Sequence, residues 1–145
     1  MQATLLCSAP MDIQVATLCD SAMDYNGKLC LLGTFDTIGS RVKPIIHQNC
    51  VLALRVCFRP ADEGQHELRI RIIDADGHDV VPALPPVGFE VRLPPEVDFI
   101  ARNMILHFQQ LQFPEPGSYS VDISVDAEEL ASIPLRVLFV PQQQA

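Results

Sequence analysis

Residues 119–126 read YSVDISVD, and this stretch decides the fold. Tyr119, Val121, Ile123 and Val125 alternate with Ser120, Asp122, Ser124 and Asp126. A period of two places one set on each face of a pleated strand, so the stretch predicts a half-buried β-strand, apolar side inward and polar side to water. The same alternation recurs upstream. Leu52, Leu54, Val56 and Phe58 form the apolar side of one segment, and Leu68, Ile70 and Ile72 that of the next. Further strands are expected over residues 13–20, 29–35, 80–82, 88–93, 103–113 and 135–140. Twelve prolines interrupt any helical window, and no helical periodicity of useful length exists. Eight or nine short strands with turn signals between them predict an all-β chain, a single antiparallel β-sandwich, immunoglobulin-like or jelly-roll-like.

The turns carry their own chemistry. Asn26-Gly27 in YNGK favours a type I′ hairpin joining the first two strands. In HFQQLQF, residues 107–113, the apolar parity slips between Phe108 and Leu111, which predicts a β-bulge near Gln109–Gln110. Pairing residues 51–59 with 66–73 through PADEGQ sets Phe58 opposite Leu68 and Val56 opposite Ile70, with both apolar faces agreeing. That register places Arg55, Arg69 and Arg71 together on one outer face of an acidic chain. Asp122 and Asp126 would neutralise them, or an acidic partner would bind there.

Residues 71–82, RIIDADGHDVVP, raise the question of a metal loop. A calcium loop of the EF-hand kind needs glycine at its sixth position and glutamate at its twelfth. Counted from Asp74, glycine falls fourth and Pro85 twelfth, so the motif fails on spacing. A three-residue hairpin explains the stretch better: Ile72 faces Val80, Asp74 closes against His78, and Gly77 takes the left-handed position. The alternative is a cation- or small-ligand-binding sandwich in which Asp74, Asp76 and Asp79 meet Asp126, Glu128 and Glu129 at one end.

Other chemistry is sparse. The four histidines, His47, His66, His78 and His107, form no metal-ligand spacing, and the five cysteines form no C-x-x-C pair. Cys19, Cys30 and Cys57 sit in apolar runs and read as buried free thiols in a reducing compartment. There is no G-x-S-x-G elbow and no P-loop, so no catalytic residues and no cofactor are expected. The net charge of −8 disfavours nucleic acid. No apolar run reaches the length of a membrane span, and MQATLLCSAP lacks the basic start and the apolar core of a signal peptide. Residues 1–10 therefore read as a loose extension, 11–140 as the domain and 141–145 as a disordered tail, in a cytoplasmic protein.

Two segments are apolar on both sides. Leu138 and Val140 lie opposite Leu135, Val137 and Phe139, and Val51 and Ala53 lie opposite Leu52 and Leu54. Such strands are either central and covered, here by the N-terminal extension, or meet another subunit. Self-association is the preferred account, because a small sandwich lacks a second covering layer. The segments GQHELRIRIIDADGHDVVP, FPEPGSYSVDISVDAEELASIPLRVLFV and VATLCDSAMDYNGKLCLLGTFDTI together resemble a family of small, uncharacterised bacterial β-sandwich proteins, a domain of unknown function. The resemblance implies a bacterial sandwich and transfers no catalytic residues. The expectation is a non-enzymatic interaction or assembly module, self-associating as a homo-oligomer or binding another protein.

Overall fold

Why the strands choose their partners follows from how the chain turns between them. The computed structural model describes residues 11–80 and 84–140. Nine strands occur among these residues: β1 (Asp12–Tyr25), β2 (Lys28–Phe35), β3 (Thr37–Ser40), β4 (Ile45–Phe58), β5 (Gly64–Asp74), β6 (Val87–Val91), β7 (Ile100–Phe113), β8 (Gly117–Val125) and β9 (Glu128–Phe139). Four form one sheet in the order β2-β1-β4-β7, and five form the other in the order β3-β9-β8-β5-β6. The sandwich expected from the alternation is present. The expected extensions at residues 1–10 and 141–145, and Val81 and Pro82 of one expected strand, lie outside the described residues.

One pair departs from the antiparallel expectation. After β2 the chain crosses at Asp36 to the other sheet, where β3 runs parallel to β9. The Asp36 carbonyl accepts from the Arg136 amide at 2.8 Å, and the Val140 amide donates to Ser40 at 2.7 Å. A strand reached by crossing over meets no tight turn forcing it antiparallel, so its direction follows the crossing.

The expected β4–β5 hairpin is absent. Pro60–Asp62 form a 3₁₀ turn, closed by the Asp62 carboxylate accepting from the Arg59 amide at 2.8 Å. The turn carries the chain from one sheet to the other. β4 pairs with β1 and β7, while β5 pairs with β8 and β6. Phe58, Val56 and Leu54 thus meet Leu68, Ile70 and Ile72 across the interior, not side by side within a sheet. Face parity is identical in both arrangements, which is why alternation alone favoured the wrong one.

The core lies between the sheets. Phe58, Phe113, Leu18, Ile45, Leu52 and Leu54 are fully buried from one side, and Ile72, Val91, Val121, Ile123 and Val137 from the other. Truncating Phe58 to alanine here costs about 3–5 kcal/mol in lost burial and residual cavity. The YSVDISVD strand behaves as read, with Tyr119, Val121, Ile123 and Val125 buried. The Tyr119 ring packs edge-on against Phe113 at 5.0 Å, and its hydroxyl donates to the Glu115 carbonyl.

Both sequence-level turn readings at glycine are found. Asn26 and Gly27 have φ of 51° and 80°, the type I′ signature, and Gly77 has φ of 85°. The slip near Gln110 is real and takes a different form. Gln110 adopts φ of 53°, yet β4 and β7 keep one register on both sides of it. β4 slips at the same level, from buried Ile45 to buried Cys50 and Leu52, so the extra residue is matched by one in its partner.

Candidate functional site

The three arginines do not share a face. Arg55 stands on the outer side of the β2-β1-β4-β7 sheet, and Arg69 and Arg71 on the outer side of the opposite sheet, because β4 and β5 belong to different layers. The expected patch Arg55, Arg69, Arg71 therefore does not form. Arg71 donates to both oxygens of Asp79, at 3.0 and 3.1 Å, and stands opposite Asp122 in register. Arg69 reaches Glu67 at 3.4 Å. The hydrogen bond to Asp79, then its charge, raises the Arg71 guanidinium pKa, and the same contact lowers that of Asp79. Asp126 is engaged elsewhere, on His66.

The loop of Asp74 to His78 is the hairpin read from sequence. The Asp74 amide donates to the His78 carbonyl at 2.9 Å, and the Val80 amide to Ile72 at 2.8 Å. One Asp74 oxygen accepts from the Asp76 and His78 amides, each at 2.9 Å. These bonds, the His78 amide first, lower the Asp74 pKa. Asp74, Asp76 and His78 bring ligand-type atoms within 4.8 Å of one another, but Asp79 is taken by Arg71.

The second acidic group lies at the other end. The Asp126 amide donates to Glu67, seven residues before Asp74 along β5, roughly 23 Å away at about 3.3 Å per residue. Glu128 and Glu129 begin β9 beside it, paired with Val125 and Ser124. The shared-end cation site of Asp74, Asp76, Asp79, Asp126, Glu128 and Glu129 is therefore not assembled.

Asp126 instead builds a clip. Asp126 and Ala127 adopt φ of 52° and 70°, forming a tight turn between β8 and β9. One Asp126 oxygen accepts from the Glu67 amide at 2.9 Å, and the other meets His66 Nδ1 at 2.6 Å. His66 Nε2 faces the Asp62 carbonyl. Both ring nitrogens thus face acceptors, which only the imidazolium satisfies fully. Burial opposes that charge, but the hydrogen bond to Asp126 and the contact with Asp62 outweigh it and raise the pKa.

The outer face of the four-stranded sheet holds the feature that sequence reading missed. Cys19, Val51 and Ala53 point away from the core yet are buried. Ala22, Leu29 and Ile105 pack against them as a second apolar cluster. Their cover is the chain itself. β4 pairs with β1 only as far as Cys19, and beyond Asp20 the β1–β2 hairpin folds back over the sheet as a flap. Its tip is latched. Arg55 Nη1 donates to the Gly27 carbonyl at 2.9 Å and to Asn103 Oδ1 at 2.7 Å, and Asn103 Nδ2 donates to Asp24 at 2.7 Å. The Asn103 bond, followed by one from the Gly27 amide, lowers the Asp24 pKa. The bend is at Gly33, whose φ is 73°. Arg55 is thus a structural latch. The only advance signals were Val51 and Ala53 on a nominally outer face.

The flap turns a second side to solvent. Met23 stands opposite Cys30, Ser21 opposite Leu32 and Tyr25 opposite Lys28. Met23 is 54% exposed, Tyr25 56% and Leu32 71%. Cys30, expected to be buried, is exposed, whereas Cys19, Cys50 and Cys57 are buried; all four are free thiols. Leu138 and Val140, of the other doubly apolar segment, are exposed, and so is Phe139, whereas Leu135 and Val137 are buried.

A family model for proteins of unknown function, DUF6941, matches residues 14–138. The chain belongs to this family. No curated protein matches the sequence. Among solved structures, this DUF6941 chain is similar to an alkylpurine DNA glycosylase from Pseudomonas fluorescens bound to DNA containing an abasic site analog, at 13% identity and a TM-score of 0.47. The match covers 94% of this chain and 33% of that one, so the DUF6941 chain spans about a third of the glycosylase. An immunoglobulin-like protein from Pseudomonas aeruginosa matches at 9% identity and a TM-score of 0.35, covering 89% and 97% of the two chains. No helix among the described residues of the DUF6941 chain is long and apolar enough to cross a membrane.

Proposed function

We propose that this DUF6941 domain is a non-enzymatic interaction module that associates with a second copy of itself through the outer side of its flap. The observation that supports this reading is the contiguous exposed strip of Met23 and Tyr25 on β1 with Cys30 and Leu32 on β2, the strand that ends its sheet. Contiguous apolar surface of this kind marks interaction sites more often than it serves a monomer. A terminal strand also offers unpaired amides and carbonyls, and two such strands can pair about a two-fold axis to continue one sheet through both copies. β2 carries little of the lysine and proline that usually block such pairing, with Lys28 at its first position alone.

Native mass spectrometry at rising protein concentration tests the reading, with Leu32→Glu as the control. Leu32 is exposed in the monomer, so the substitution leaves the fold intact and places a charge in the proposed interface. A dimer lost in Leu32→Glu supports the proposal. A wild-type protein that stays monomeric throughout, or a dimer indifferent to Leu32→Glu, refutes it. A cytoplasmic setting accords with four free thiols among the described residues and belongs to the same proposal.

A further inference from the structure

The side of the sandwich away from the β2–β3 crossing is open. β6 ends one sheet there and β7 ends the other, so inward-facing residues of both strands look onto a groove in place of a further strand. Leu68 forms its floor, Val87 and Phe89 one wall, and Met104 and Leu106 the other, around a cavity of about 400 Å³. That volume lies within the range of roughly 300–1,000 Å³ typical of small-molecule sites.

One charged side chain lines this apolar groove. Arg102 shares the inward side of β7 with Met104 and Leu106, and its guanidinium carbon lies 5.8 Å from the Phe58 ring centroid and 5.9 Å from that of Phe89. Its Nη2 donates to the Glu90 carbonyl at 2.9 Å. Among the described residues no carboxylate pairs with it. Glu90, whose carbonyl Arg102 meets, turns its carboxylate to Arg92 at 2.8 Å, and Glu63 accepts from the Leu93 amide at 3.0 Å. In a chain of net charge −8, an inward-facing arginine held by two aromatic rings and lacking a counter-ion is unusual.

We infer that this groove binds a small amphipathic anion, an apolar chain lying over Leu68, Phe89, Met104 and Leu106 with a single carboxylate on Arg102. A neutral apolar occupant would strip water from one side of the guanidinium and return nothing. A carboxylate replaces that water with a charge-assisted hydrogen bond, to which the planar fork is suited. The rings already fix the guanidinium, so little side-chain entropy is lost on binding. This site lies apart from the flap and goes beyond the self-association reading.

Decanoate and decanol, which share a chain and differ in the head group, separate the contributions. The amide resonances of the wild-type protein are followed by NMR as each is added. Decanoate is expected to shift residues 66–68, 87–91 and 100–106 and to bind about tenfold more tightly than decanol, one charge-assisted contact being worth about that factor. Arg102→Gln should remove the tenfold advantage and leave decanol unchanged, and Arg102→Lys should retain part of it. Since Arg102 also stacks on Phe58, Val87→Glu provides a second variant at a half-exposed position, 46% accessible, where a carboxylate should repel decanoate without unfolding the domain. Equal binding of the two probes, shifts on the flap alone, indifference to both variants, or no binding of decanoate would each overturn the assignment.

Discussion

Replacing Gly33 with alanine should unlock the flap, and the size of the effect follows from the geometry. Gly33 has φ of 73°, where an L-residue pays about 1–2 kcal/mol. A Cβ placed there would stand 2.6 Å from Oδ2, 3.0 Å from Cγ and 3.2 Å from Cβ of Asp20, directly across the hairpin. Moving the Asp20 side chain off its rotamer adds about 1 kcal/mol. Gly33→Ala should therefore cost about 2–3 kcal/mol. Gly27 provides the comparison, because its φ is 80° but nothing lies within 4 Å of its added Cβ. Gly27→Ala should cost only the conformational part, about 1–2 kcal/mol. Urea unfolding followed by circular dichroism measures both, and Asp20→Ala combined with Gly33→Ala should recover about 1 kcal/mol as a coupling energy. Cys19 supplies a local readout. It is fully buried beneath the flap, whereas Cys50 is buried in the main core, so opening the flap should speed thiol labelling of Cys19 more than that of Cys50. Equal stability of the Gly33 and Gly27 variants, together with unchanged Cys19 labelling, would refute the bend.

Three further outcomes follow from the same structure. Ala127 pays for φ of 70° in its turn, so Ala127→Gly should stabilise the domain by about 0.5–1 kcal/mol in urea, the relieved strain exceeding the added chain entropy. His66 should titrate above 6.5 by NMR; because its folded pKa is raised, its contribution is complete below about 6.5 and is lost as pH rises through the folded value. Asp126 is lowered by the same contact, so its contribution is present above about 3.8 and fades as pH falls through its folded value; the clip is strongest between those limits, and His66→Gln should flatten stability against pH above 6.5. Calcium at about 1 mM should leave the melting temperature unchanged, since Asp74 already accepts two amides and Asp79 holds Arg71; a rise would show binding to the folded state.

Much of this molecule is local, and that part is legible in the residues alone. Alternation in YSVDISVD fixed a strand and its buried side, because the pleat ties side-chain direction to residue parity. Asn26-Gly27 and the Asp74–His78 loop specified their turns, since left-handed backbone is cheap for glycine and the Asp74 side chain can close on its own amides. Parity says which face is inward, however, and not which layer a strand joins. The Pro60–Asp62 turn sends β5 to the opposite sheet, and with that step the arginine patch separates into a latch on one side and ion pairs on the other. The separation of the two acidic loops was equally illegible, because it depends on β5 and β8 running antiparallel over their length. The flap and the groove are tertiary in the same sense. Val51 and Ala53 showed that something covers that face, but only the bend at Gly33 shows that the chain's own hairpin does so. Arg102 joined an apolar groove only when β6 and β7 came to end their two sheets on the same side.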